Sequence, residues 1–146
     1  MDTLQPKQSK ILLIGEICED IYIFGNVDRI SPEAPVPVLK YNRRNIRKGM
    51  AGNVYENILE MSNNVKIDFW CNKLHKIKKI RYVDEKSKYQ IMRYDIEKKL
   101  KPLLEKDIDE AKVQYDAIVI SDYDKGFLDS SIIESIVSKF KDSKIF

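Results

Sequence analysis

The stretch Lys48–Met61, KGMAGNVYENILEM, sets two glycines directly before a run with helical spacing. Gly49 and Gly52 can take positive φ and let another molecule approach the backbone. Val54, Ile58 and Met61 recur at i, i+4 and i+7, the spacing of a buried helix face. A helix that opens from a glycine turn presents amides without intrahelical partners at the positive end of its dipole, which suits an anion or the hydroxyls of a sugar. Asn53 and Asn57, four apart, share a different face, and each brings the donor and acceptor that vicinal hydroxyls require. The same residues also read as a loop entering an ordinary core helix, with asparagines that cap it or face water.

Upstream, Lys10–Gly15 (KILLIG) follows a polar leader and is a short continuous apolar run, as in a strand buried on both faces of a parallel sheet. Glu16 and Asp20 come at its carboxyl end, where ligands of open α/β sheets bind. Asp20 is placed to accept hydrogen bonds from a substrate hydroxyl, whereas Glu16 reads as a turn carboxylate facing water. Ile21–Phe24 is β-branched and aromatic, and ISPEAPVPV from Ile30 to Val38 holds prolines that forbid a helix or a central strand. That segment reads as a flap, with Val36–Tyr41 returning as a strand.

Downstream, Lys66–Cys71 gives another strand, and Ile77–Val83 with Tyr89–Tyr94 flank a polar turn as a hairpin. Together with the strands near Ile21 and Val36 these could form a small separate sheet, whose exposed β-rich strands need covering by a ligand, a core or a second copy. Asp107–Tyr115 reads as a modest amphipathic helix and Ala117–Ile120 as a second buried strand. Ser121–Gly126 (SDYDKG) follows its carboxyl end as a second convergence of polar groups. A last helix starts at Asp129 or Ser131, where Ser131 and Glu134 fit a capping box, and Lys144–Phe146 begins a third strand.

With 146 residues, 43% hydrophobic and 34% charged, the chain has the makings of one domain with a real core. No stretch approaches the roughly 20 apolar residues of a membrane span and no secretory signal opens the chain, so a cytoplasmic protein is expected. Cys18 and Cys71 are too few for a disulfide framework or a zinc site and read as small apolar strand residues. His75 is the single histidine, which argues against a histidine triad or metal cluster. The net charge of +3 mixes signs, and the basic run Lys73–Arg81 alternates with apolar residues like a strand edge, so nucleic acid is not an expected partner.

The series LLIGEICEDIYIFG, RISPEAPVPV, KGMAGNVYENI, KIRY, MRYDIE and VISDYDKG, in that order and over nearly the whole chain, resembles the ribokinase-like, PfkB-type sugar kinases. Within them it is most similar to the kinase domain for D-glycero-D-manno-heptose 7-phosphate in the bifunctional proteins of ADP-heptose synthesis, and to the N-terminal half of that domain. The resemblance implies an α/β fold, a doubly wound sheet carrying a small β-sheet lid, with lid strands at about residues 20–45 and 76–95 of one partial domain spanning 1–146. It further implies that Asp20 contacts the sugar, that Gly49, Gly52 and Asn53 belong to the sugar-binding turn, and that Lys125 lies near the substrate. Lys78, Arg81 and Arg93 would meet the substrate phosphate from lid strands, or else are simply solvated. A homodimer through the lid strands is the implied assembly.

Two local departures stand out. Met50 occupies the place of the family's second glycine, and Gly15-Glu16 replaces its usual Gly-Asp. The segment between the first helix and the hairpin is also short. ATP and magnesium are the implied cofactors, yet the family's Gly-Ala-Gly-Asp turn, with its catalytic aspartate and anion hole, does not occur in these residues. No catalytic residue or metal ligand is therefore assigned. The expectation divides between a kinase acting on a sugar phosphate, cut short or completed by a C-terminal half on another chain, and a non-catalytic module that binds sugar phosphate or associates through its lid sheet.

Overall fold

The computed structural model describes residues 8–73 and 76–146; the first part of the polar leader, and Leu74 and His75, lie outside the described residues. Two compact units result, one made of the residues up to Ile17 with Met50–Lys73 and Lys99–Phe146, the other of Cys18–Gly49 with Leu74–Lys98.

The first unit is built on β1 (Ser9–Gly15), whose Leu12, Leu13 and Ile14 are all fully buried. Three apolar residues in a row place side chains on both faces of a strand, so both faces must be covered, at about 1.5–3 kcal/mol of stabilisation for each such side chain. β1 pairs in parallel with β4 (Val65–Cys71) and with β7 (Ala117–Ser121), and β8 (Lys144–Ile145) extends the sheet to the order β4-β1-β7-β8. Adjacent residues of β4 show where the helices lie. Phe69 stacks on Tyr55 of helix α1 (Ala51–Met61), while Trp70, pointing to the opposite face, meets Phe140 at the end of helix α3 (Ser130–Lys139) edge-on. Helices thus cover opposite faces, as the continuous apolar strands require. Register is pinned at the amino end by a reciprocal pair: Lys10 N donates to Asp116 Oδ2 at 2.8 Å, and Asp116 N donates to the Lys10 carbonyl at 2.9 Å.

The second unit is a sheet in the order β3-β2-β5-β6, made of β2 (Ile17–Ile30), β3 (Pro37–Met50), β5 (Ile77–Asp84) and β6 (Gln90–Glu97). Proline opens β3, where its missing amide costs no ladder bond, and residues 31–36 bend outside the sheet. β5 and β6 form the anticipated antiparallel hairpin. Its turn is closed by buried Asp84, which accepts from Ser87 N at 2.8 Å and from Val27 N at 3.1 Å. From Ile77 to Arg81 the basic run lies on β5, an inner strand with β6 on one side and β2 on the other, where Lys78 pairs with Glu19 at 2.9 Å; Leu74 and His75 lie outside the described residues.

Three local expectations are corrected. Met61, placed on the buried face of α1, is 85% exposed: the helix is buried at its start, through Ala51 and Gly52, and loses cover by its last residue. Helix α2 covers only Glu105–Asp109. Beyond it the chain extends, which brings Tyr115 into the core against Phe140 and its hydroxyl to Asp68 Oδ2 at 2.8 Å, so tertiary packing overrides the amphipathic pattern. Helix α3 is capped by Asp129, whose side chain accepts from Ile132 N at 2.9 Å and from the Ser131 hydroxyl at 2.8 Å. Ser131 lies one residue inside the helix and cannot be the cap.

The Ile132 amide, with the Ser131 hydroxyl, holds the Asp129 carboxyl below its ordinary range. Its contribution is therefore complete above the usual aspartate value of about 4 and fades as pH falls through the lower folded value. Thermal unfolding followed by circular dichroism should show Asp129→Ala melting below the native chain at neutral pH, with the gap narrowing in strong acid.

Candidate functional site

In the first unit, the residues chosen from sequence gather at the carboxyl ends of β1 and β7, which end in register at Gly15 and Ser121. A methyl group on Gly15 would run into the Ser121 carbonyl and lie 3.0 Å from Ala51 Cβ, so glycine is what lets β1, β7 and the start of α1 meet. Ala51 N, the first amide of the helix, donates to the Glu16 carbonyl at 2.9 Å. Gly52 is buried beside it, and Asn53 and Asn57 stand exposed one turn apart on α1. The Ser121–Gly126 loop carries half-buried Lys125 and is shaped by left-handed Asp124 (φ 54°) and Gly126 (φ 85°).

Glu16 does not face water. Its side chain is fully buried, and its carboxylate accepts backbone amides from Tyr123 at 2.8 Å, Lys125 at 3.2 Å and Phe127 at 3.3 Å. No local pattern signals this, because all three donors are main-chain groups more than a hundred residues away. The one available signal was its position, directly after a buried strand.

In the second unit, Asp20 and Arg81 face each other across β2 and β5, with Arg81 Nη1 donating to Asp20 Oδ1 at 2.5 Å. The Arg81 guanidinium also lies 5.1 Å from the Tyr22 ring centroid. Gly49 packs flat against this pair: a Cβ there would collide with Asp20 Oδ2 and come within 2.7 Å of Cys18 Sγ. Cys18 is a fully buried thiol, pushed up to about 11 by burial and then by the Asp20 charge, so it stays protonated at neutral pH. Both cysteines are free. Arg93 lies opposite Arg81 in the β5/β6 register, exposed, with its Nε on Asp95 Oδ1 at 2.9 Å. A carboxylate held by a guanidinium on one oxygen, beside bare backbone, is an arrangement that accepts hydroxyl hydrogen bonds while keeping a fixed orientation.

Neither Gly49 nor Gly52 has positive φ. The reversal from β3 into α1 falls on Met50, at φ 56° and ψ −134°, with a buried side chain. That conformation favours glycine and costs a residue with a Cβ about 1–3 kcal/mol, so the strain sits between the two glycines rather than on them. Among the described residues no group of three or more His, Cys, Asp or Glu is placed to hold a metal ion.

The fold is similar to that of a carbohydrate kinase from Agrobacterium tumefaciens, which superposes over 94% of this chain and 52% of its own, with a TM-score of 0.51 at 9% identity. In sequence the chain is similar over most of its length to bacterial heptose 7-phosphate kinases. It is 32% identical over 160 residues to the D-beta-D-heptose 7-phosphate kinase of Bordetella bronchiseptica, covering 90% of this chain and 50% of that protein. It is 31% identical over 158 residues to the bifunctional protein HldE of a Nitratiruptor species, covering 89% of this chain and 34% of that protein. The chain thus spans between a third and a half of the length of these relatives. No family model matches it. No helix among the described residues is long and apolar enough to cross a membrane.

The strain at Met50 reverses an ordinary order. Met50→Ala keeps the unfavourable φ and loses a buried side chain, at about 2–5 kcal/mol. Met50→Gly loses the same side chain and releases the strain, so urea denaturation should find it more stable than Met50→Ala by about 1 kcal/mol or more.

Proposed function

We propose that these residues form the acceptor side of a sugar-phosphate kinase acting on heptose 7-phosphate or a related sugar, in the synthesis of ADP-heptose and cell-envelope sugars in the cytoplasm. The observation that carries this is the homology to a D-beta-D-heptose 7-phosphate kinase over nine-tenths of the chain, on residues that include the Asp20–Arg81 pair seated on Gly49. In this reading Asp20 accepts hydroxyl hydrogen bonds from the sugar. Gly49 and Gly52 keep the backbone bare, and Asn53 and Asn57 supply paired donors and acceptors. Arg81, whose remaining N–H groups are not used by Asp20 Oδ1, and Arg93 and Lys125 supply positive charge for the substrate phosphate. Phosphoryl transfer needs a nucleotide cradle, magnesium and charge stabilisation besides the acceptor. ATP and magnesium would be held by residues of the family's Gly-Ala-Gly-Asp half.

A second reading, a non-catalytic sugar-phosphate module that pairs through its lid, is favoured by one observation. Both faces of β6 are exposed almost throughout, with Met92 at 52% and Tyr94 at 53%. An edge strand of this kind is a ready template for a second copy. The homodimer belongs to both readings, so sedimentation velocity at tens of micromolar should show a dimer, and Tyr94→Lys should shift it to monomer.

Calorimetric titration with heptose 7-phosphate should show binding by the isolated chain, weakened about tenfold or more by Asp20→Ala through loss of a charged hydrogen-bond acceptor. Release of ADP should appear only when a family C-terminal half is added. Binding lost on Asn53→Ala, with no turnover under either condition, would favour the non-catalytic module; no binding at all would sink both.

A further inference from the structure

Glu16 is the one fully buried charged residue among those described, and its partners are all main-chain. Its carbonyl takes the first amide of α1, and its two carboxylate oxygens take the amides of Tyr123, Lys125 and Phe127. A single residue therefore ties the helix start that carries Gly52 and Asn53 to the loop that carries Lys125. Tyr123, Asp124 and Gly126 are exposed, whereas Phe127 is buried and its carbonyl accepts from Leu103 N at 2.8 Å. Within the loop Asp124 N also donates to Asp122 Oδ1 at 2.9 Å. Alternate amides converge because Asp124 and Gly126 are left-handed, which turns successive N–H groups inward into the concave nest that binds anions elsewhere. Here the anion is the chain's own.

Resting on the acceptor-site reading above, we propose that Glu16 is the positioning residue of that site: by filling the nest, its carboxylate fixes the 121–127 loop and so sets where Lys125 stands relative to the start of α1. The carboxylate is required rather than any polar group of that size. A glutamine amide offers one acceptor oxygen and turns an NH₂ group towards amides that are themselves donors. Glu16→Asp keeps the charge but is one methylene shorter, so it can hold part of the nest.

The test combines amide exchange with binding on the full chain. In the native protein the amides of Tyr123, Lys125 and Phe127 should be protected although Tyr123, Asp124 and Gly126 are exposed; exchange at the rate of a free loop would overturn the proposal without any variant. In Glu16→Gln these three amides should exchange about tenfold faster or more, while those of Leu13 and Ile118 are unchanged, and Glu16→Asp should fall between the two. Calorimetry with heptose 7-phosphate should show Glu16→Gln weakening binding about tenfold, and Lys125→Ala adding little in the Glu16→Gln background although it weakens binding in the native one. Additive losses would mean that Glu16 does not act through Lys125. A native chain that binds no heptose 7-phosphate would refute the substrate reading, and the exchange data alone would then decide whether Glu16 organises the loop.

Discussion

Three pieces of backbone converge at Gly15: the end of β1, the Ser121 carbonyl at the end of β7, and Ala51 at the start of α1. The rest of the first unit depends on that approach. If β1 and β7 were pushed apart by a side chain, the Glu16 carboxylate one residue later would not reach the amides of the following loop, and Ala51 N would lose the Glu16 carbonyl. The cost of burying an ion explains why the reach matters. An isolated carboxylate inside a protein is heavily penalised, and three amide donors are what make it tolerable.

The second unit follows another logic. Asp20 and Arg81 are both partly exposed, and an ion pair of that kind adds less than about 1 kcal/mol to stability. Its value lies in orientation. Arg81 is held between Asp20 and the Tyr22 ring, and Asp20 is held between Arg81 and the bare backbone of Gly49, so neither side chain is free to wander. The thiol of Cys18 beneath them fills space without adding charge. Stability in this unit comes instead from the strand ladder and from turns such as that closed by Asp84, whose carboxyl is held low first by its hydrogen bond to the Ser87 hydroxyl and then by the Ser87 amide.

Much of the fold was legible because its signals were local. The apolar runs at Leu12–Ile14 and Ala117–Ile120 announced strands covered on both faces, the polar turn at 84–88 announced a hairpin, and Pro32 and Pro35 lie in residues 31–36, which stay out of the sheet. The site was legible in membership more than in arrangement. Asp20 and Arg81 were each singled out, but their pairing depends on a parallel register between strands some sixty residues apart, which no local pattern encodes. The role of Glu16 was misread for the same reason. The two glycines can take positive φ, yet the chain places that conformation on Met50 between them, with its side chain buried. The helix expected to reach Tyr115 stopped early because an aromatic anchored in the core outweighed the propensity of the residues before it.

The strand order β4-β1-β7-β8 also governs how the molecule comes into being. β1 is made first and lies in the middle, but the Lys10 to Asp116 bond that seats it against β7 joins residues 106 positions apart. Contacts so distant along the chain slow folding, since the intervening segment must lose its freedom before the pairing repays it. At a synthesis rate of about 5–20 residues per second, β1 waits roughly 5–20 seconds on the ribosome with one edge unmatched. The most deeply buried strand of the sheet is therefore also the one exposed longest, and the nascent chain relies on α1 and β4, which emerge before β7, to shelter it until β7 arrives.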